Sequence, residues 1–297
     1  MIRIKKKYRL LCIVLACVLL AVGLGFLFYH GEWWFPPLHD LTMRKNPDLT
    51  EVTPEGKITL WPLDELCARE DVTLSNNLLL VNSSHPLPEG YEATLVEYNG
   101  AKMHPLMLDP YISLRDDVQA KTGVRIYVAS DYRTREEQEA IIAESESGIA
   151  AQIGCSEHEA GLALDVYAPY YGGENFLRSR AGRAVNRTCG EYGYIIRYPW
   201  GREDVTGISY EPWHIRYVGQ PHAEIMMQSG LTLEEYLEYL QPNTWYACGD
   251  YLISRRAADA LELPDGWTHC DISPDNTGYY VVTLKMNLTY MIMNKAI

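Results

Sequence analysis

The chain contains no glycine-rich phosphate loop, no internal repeat and no low-complexity tract. The first absence excludes nucleotide-phosphate binding of the P-loop kind. The second excludes solenoids and repeat arrays, and the third a chain without a packed core. Basic charge is also in short supply, with 26 Lys and Arg against 39 Asp and Glu. Five of the basic residues (Arg3, Lys5, Lys6, Lys7 and Arg9) precede position 10, leaving 21 against 39 and a net charge of −18 in the remainder. So acidic a body is a poor partner for nucleic acid or anionic polymers, and its charge is read as a solubility feature. Cysteine is sparse and uneven. Cys12 and Cys17 lie in an apolar run, which leaves Cys67, Cys155, Cys189, Cys248 and Cys270. An oxidising exterior permits disulfides, but spacing does not fix the pairing. Cys248 with Cys270 is the preferred pair, because both belong to the tail.

Charge is missing altogether from Leu10 to Tyr29, a run of 20 residues. A bilayer-spanning helix needs about that many. The basic cluster lies before the run and no basic residue follows until Arg44, so the positive-inside rule places the remainder outside the cytoplasm. A cleaved signal peptide ending near Ala21-Val22-Gly23 and a lipidated Cys17 are the competing readings. Apolar residues continue past the first site, and too few precede the second, so an uncleaved single-pass anchor in the cell membrane is expected. Trp33 and Trp34 follow where interfacial aromatics sit. The expected layout is a cytoplasmic tail (1–9), an anchor (10–29), a proline-containing stalk (30–70), a main domain (71–241) and a small β-rich segment (242–297). With 47% hydrophobic residues the main domain can bury a core. About 50 residues of tail make a marginal unit alone.

The chemistry is concentrated in two stretches. In Ser156-Glu157-His158-Glu159-Ala160-Gly161-Leu162-Ala163-Leu164-Asp165, a histidine and an aspartate stand seven positions apart with a glycine between them. Zinc takes imidazole nitrogen and carboxylate oxygen at about 2.0–2.2 Å. Seven residues of straight strand would separate the two groups by about 23 Å. If both hold one metal, the backbone must fold back between them, and Gly161 is where it does so at least steric cost. Leu162, Leu164 and Val166 then alternate with Ala163, Asp165 and Tyr167, which predicts a strand with its leucines in the core. The second stretch, Glu211-Pro212-Trp213-His214-Ile215-Arg216-Tyr217, adds a histidine with a carboxylate three residues before it. His158, Asp165 and His214 make three protein ligands, the number that leaves a zinc position open for water. Glu211 is then free to act as a base. Pro212 biases Glu211 towards extended backbone, against a helical Glu–His pair of the HExxH kind. Cys155 is set aside as a ligand, since a fourth protein group would close the site. Arg216 is read as a structural ion-pair partner.

These two stretches, in this order, resemble the VanY-type zinc D-alanyl-D-alanine carboxypeptidases, related to the VanX dipeptidase and, more distantly, to the hedgehog domain. The similarity covers roughly Leu78 to Gly219. It implies an α+β fold, with a small antiparallel sheet carrying the zinc site between helices. It also implies Zn2+ as cofactor and peptidoglycan stem peptides ending in D-Ala-D-Ala as substrate. Ser130-Asp131-Tyr132-Arg133 resembles a third family motif, with Asp131 where glycine is common, so a different turn is expected there. Arg133 would supply a guanidinium for a terminal carboxylate or a developing oxyanion. By the same resemblance Gln138 and Ser156 would bind substrate. A wall-peptide endopeptidase of the same fold and a catalytically silent zinc-containing binding protein are the alternatives.

Around this site the pattern predicts a strand at Leu78–Val81, a helix over 112–121, a strand over 124–129 and a capped helix starting at Thr134. A further helix is expected over 231–240, with tail strands near 251–253 and 279–284.

Overall fold

A computed structural model describes residues 6–43, 46–144, 151–257 and 260–287. Its centre is a four-stranded, wholly antiparallel sheet in the order Tyr127–Ser130, Ala163–Tyr167, His214–Tyr217, Tyr194–Ile196. Side chains alternate across it, as the leucine spacing predicts. Leu164, Val166 and Ile215 point to one face and are fully buried against Met107, Tyr111, Leu114 and Val118 of the helix Pro105–Thr122. Ala181, Ala184 and Val185 of the helix Arg180–Thr188 complete that layer. Full burial of one such aliphatic side chain contributes about 1.5–3 kcal/mol, so this face fixes the register of the other, which carries Asp165 and His214.

The helix Pro105–Thr122 begins about two turns earlier than expected. His104 caps it, its Nδ1 accepting from Leu106 N–H at 3.3 Å, and proline occupies the first turn, where no N–H is needed. It stops at Gly123, in the left-handed region at φ 75°. Thr134 and Glu137 exchange backbone and side-chain bonds of 2.8 and 3.2 Å to start the helix Arg135–Glu144.

Leu78 to Val81 is buried as expected but is not a strand. Leu78 and Leu80 face one apolar cluster, Leu79 and Val81 another. The backbone is satisfied without a ladder. Leu78 N–H donates to Ser273 Oγ, Leu80 N–H to the Asp275 carbonyl, and the Asn77 and Leu79 carbonyls accept from Arg216.

The stretch 30–70, expected as a stalk, is built into the body instead. Gly31–Met43 is a helix with Phe35 and Pro36 buried, and its Glu32 accepts from Arg178 at 2.9 Å. Thr50–Val52 and Ile58–Pro62 pair with Trp245–Cys248 and Ala260–Pro264 of the tail. Val72–Leu74 adds a parallel edge to the tail strand Trp267–Pro274. The resulting six-stranded sheet contains four tail strands, Thr50–Val52 from before the main domain and Val72–Leu74 from its first residues. The physical reason is the marginal size of the tail: its apolar face is covered only when Leu66, Trp61 and Val72 join it.

That sheet also rules out the preferred disulfide. Cys248 and Cys270 lie on strands separated by Tyr251–Arg256 and Tyr280–Met286. Three strand spacings make ~14 Å, well beyond the ~7 Å Cα limit for a bridge. All seven cysteines are free thiols.

The apolar run lies in the helix Lys6–Tyr29. Among the described residues no single helix is long and apolar enough to cross a membrane. Leu11–Leu27 and Gly31–Met43 meet that requirement only as a pair, bent by 76°.

Candidate metal centre

His158 sits on a turn that reverses at Gly161. Gly161 N–H donates to the His158 carbonyl at 3.0 Å, and φ at Gly161 is 70°. A Cβ there would lie 3.0 Å from Leu95 Cδ2, a tight contact from which the Leu95 side chain would have to shift. The strand that follows brings Asp165 directly opposite His214. His158 Nε2 lies 3.4 Å from Asp165 Oδ2, and His214 Nδ1 lies 3.0 Å from Asp165 Oδ1. The two imidazoles stand perpendicular, with ring centres 5.0 Å apart. One donor atom from each of the three residues lies within 4.8 Å of the others. The histidines are buried, while the aspartate side chain keeps 21% of its surface, so the group opens to one side. Cys155 is not among the three.

The donor set suits a metal ion. Two imidazole nitrogens and a carboxylate make a catalytic-type zinc set. Metal-bound histidines normally donate their other ring N–H to an acceptor. Here His158 Nδ1 lies 2.8 Å from the Asp131 carbonyl, and His214 Nε2 lies 3.5 Å from Glu157 Oε2. Asp131 needs no glycine-like backbone, and its side chain accepts from Lys102 N–H at 2.5 Å.

Glu211 stands beside this group. Its N–H donates to the Tyr198 carbonyl, and its own carbonyl accepts from His214 N–H at 3.1 Å, a tight turn at Pro212 rather than a helix. Glu211 Oε2 is thereby 3.8 Å from His214 Nδ1. Burial raises the Glu211 pKa above the ordinary value; the charge of Asp165 pushes the same way, and His214 opposes it. Burial alone would lower the pKa of His214, but Asp165 and Glu157 outweigh it and push the group up to about 9. Burial likewise opposes ionisation of Asp165, yet His158 and His214 hold its carboxyl well below the usual range.

Arg133 is tied to this centre through its backbone N–H, which donates to the His158 carbonyl at 3.2 Å. Its guanidinium donates to Gln138 Oε1 at 2.8 Å and Ser130 Oγ at 3.0 Å. Gln138 is 1% exposed and spends its amide nitrogen on the Ala151 carbonyl at 2.6 Å. Both ends of its amide are committed, so it holds Arg133 rather than presenting itself to a ligand. Ser156 is buried two residues before His158.

The residue that the motifs did not single out is Glu157. It is fully buried and takes Arg197 Nε at 2.7 Å and Arg216 Nη1 at 2.6 Å. Arg216 is therefore the structural ion-pair partner it was read as. The available signal was a pair of arginines, Arg216 on one strand and Arg197 just past the end of its neighbour, with a carboxylate required between them.

The profile of the VanY D-alanyl-D-alanine carboxypeptidase family matches residues 100–220. A D-alanyl-D-alanine carboxypeptidase of Enterococcus faecium is 34% identical over 214 residues, which is 66% of this chain and 66% of that protein. The bifunctional D-Ala-D-Ala dipeptidase and D-Ala-D-Ala carboxypeptidase VanXYC of Enterococcus gallinarum is 36% identical over 181 residues, 56% of this chain and 95% of that protein. The chain thus spans just under two thirds of the first relative and nearly all of the second. A solved vancomycin-resistance D,D-pentapeptidase VanY variant from a VanB-type cassette, in complex with Zn(II), superposes with a TM-score of 0.50. It is 34% identical and covers 54% of this chain and 98% of its own.

Proposed function

Because this chain belongs to the VanY D-alanyl-D-alanine carboxypeptidase family, we propose that it is a membrane-anchored zinc peptidase. It removes the C-terminal D-alanine from peptidoglycan stem peptides ending in D-Ala-D-Ala. The observation that carries this reading is the convergence of His158, Asp165 and His214, with Glu211 beside them.

His158 Nε2, Asp165 and His214 Nδ1 would hold the zinc ion, which would supply Lewis acidity towards the scissile carbonyl and a water of pKa about 7. Glu211 accepts the proton of the attacking water as its oxygen bonds to the terminal peptide carbon. When the C–N bond breaks, Glu211 returns that proton to the D-alanine amine. Its raised pKa moves it towards the neutral range, where one group both takes and gives a proton. Arg133, held by Ser130 and Gln138, offers its fork of donors to the substrate's carboxylate or to the charge developing on the carbonyl oxygen. Ser156 lines the substrate near His158.

Anchoring is supported by the basic residues before position 10 and by the exposed apolar helix behind them, where Leu19, Leu20 and Val22 each keep 64% of their surface. The catalytic domain then faces the wall, where its substrate is.

Mass spectrometry of a synthetic stem pentapeptide tests the reading. Release of a single D-alanine, stopped by a chelator, is expected. Cleavage within the stem would make the protein an endopeptidase of the same fold. Zinc binding without any cleavage would make it a silent binding protein.

A further inference from the structure

His158 and His214 present opposite ring nitrogens to Asp165: Nε2 from the first, Nδ1 from the second. For His158 the choice follows from its other nitrogen, which donates to the Asp131 carbonyl. For His214 the corresponding partner is less obvious. Its Nε2 is buried without a hydrogen-bond partner, and so is Glu157 Oε2. The two atoms face each other at 3.5 Å, the outer limit of hydrogen bonding. A buried polar atom left without a partner is costly. These two satisfy each other only when the proton of His214 is on Nε2, which leaves Nδ1 bare towards Asp165.

The rest of the arrangement immobilises that carboxylate. Both arginines bond to Oε1 alone, leaving Oε2 directed at the imidazole. Arg197 is held in turn by Glu234 through two bonds of 2.9 and 2.6 Å, from the helix Leu233–Tyr239. Arg216 is held by the Asn77 and Leu79 carbonyls at 3.0 and 2.9 Å. Two arginines and two glutamates thus form a closed, charge-balanced group whose one unused oxygen points at His214.

We propose that Glu157 is a positioning residue that holds His214 as its Nε2–H tautomer and so presents Nδ1 as the metal-binding nitrogen. This rests on the proposed metal site. The carboxylate never touches substrate, and its effect passes through the imidazole.

Zinc affinity, measured by competition with a chromophoric chelator, tests it on the wild type, Glu157→Gln and Glu234→Gln. Glu234→Gln removes the same charge from the same network on the side away from His214. Glu157→Gln is expected to weaken zinc about 10–100-fold, the usual effect of losing a carboxylate behind a ligating histidine. Glu234→Gln should lower the melting temperature while leaving zinc affinity near wild type. Equal zinc affinity in Glu157→Gln and wild type would overturn the proposal, and so would equal weakening in both variants. Failure of the wild type itself to bind zinc would instead defeat the metal-site reading. Long-range proton–nitrogen NMR of the zinc-loaded wild type needs no variant to fold. A proton on His214 Nε2 with zinc on Nδ1 is expected, and the reverse assignment would sink the inference.

Discussion

Glu211 and His214 are joined by one tight turn, yet their removal should have different consequences. Glu211→Ala takes away the proposed proton carrier, which lies 3.8 Å from His214 Nδ1. It is expected to keep zinc while losing about 10²- to 10⁴-fold in kcat, the usual contribution of a positioned acid–base group. His214→Ala removes one of three ligands and should lose the metal. Zinc content and turnover, measured on both variants, separate the two roles; full turnover by Glu211→Ala would reject the assigned base. The grouping of His158, Asp165 and His214 with Glu211 beside them was readable from the chain because it comes with local patterns: a glycine between His158 and Asp165, a proline between Glu211 and His214. Glu157 was not readable as a functional residue. Its arginine partners are 40 and 59 positions away, and only the folded sheet places them around one oxygen. Gln138 shows the same limit. A resemblance assigned it to substrate, while the contacts that commit both ends of its amide depend on where residue 151 lies.

The element that matters most is the reversal at Gly161. Alternation of leucines predicted the strand, and the need to bring two ligands together predicted the turn. Both are present. Gly161→Ala should be harmful for two independent reasons. An L-residue in the left-handed region costs about 1–2 kcal/mol, and the added Cβ meets Leu95 at 3.0 Å. The expected outcome is a lower melting temperature together with weaker zinc binding, because the turn sets the distance from His158 to Asp165. Calorimetry and a zinc titration would show both, whereas a variant that melts lower but binds zinc normally would mean that the strand alone positions the ligands. Leu78–Val81 marks where pattern reading fails at this scale. Its apolar alternation is real, but a strand is defined by where backbone bonds go. Here they go to Ser273, Asp275 and Arg216, none of them adjacent in sequence.

For the whole molecule, the main domain and the tail meet around His222. This buried imidazole bonds Tyr236 Oη at 2.7 Å and Thr283 Oγ1 at 2.9 Å, linking the helix Leu233–Tyr239 to a tail strand. Burial pushes its pKa down to about 3. The folded state keeps the ring neutral while the unfolded chain takes a proton below about 6.5. Stability from this site is therefore complete above about pH 6.5 and is lost as pH falls from there towards 3. At pH 5 the loss is roughly 2 kcal/mol. Thermal unfolding at pH 7 and pH 5 should show that drop in the wild type and a smaller one in His222→Gln. An equal drop in both would assign the acid sensitivity elsewhere. The main domain was legible in outline because its signals are local. The stalk was misread because prolines and weak periodicity also describe short edge strands and a capping helix. Nothing within 30–70 reveals that the tail, 200 residues later, needs those strands to close its sheet.

The central claim is that His158, Asp165 and His214 hold one zinc ion, and anomalous diffraction at the zinc edge tests it most directly. A single peak is expected, about 2.0–2.2 Å from His158 Nε2, an Asp165 oxygen and His214 Nδ1, with Glu211 outside that distance. A peak away from these three side chains, or one that includes Glu211 as a ligand in place of Asp165, would contradict it.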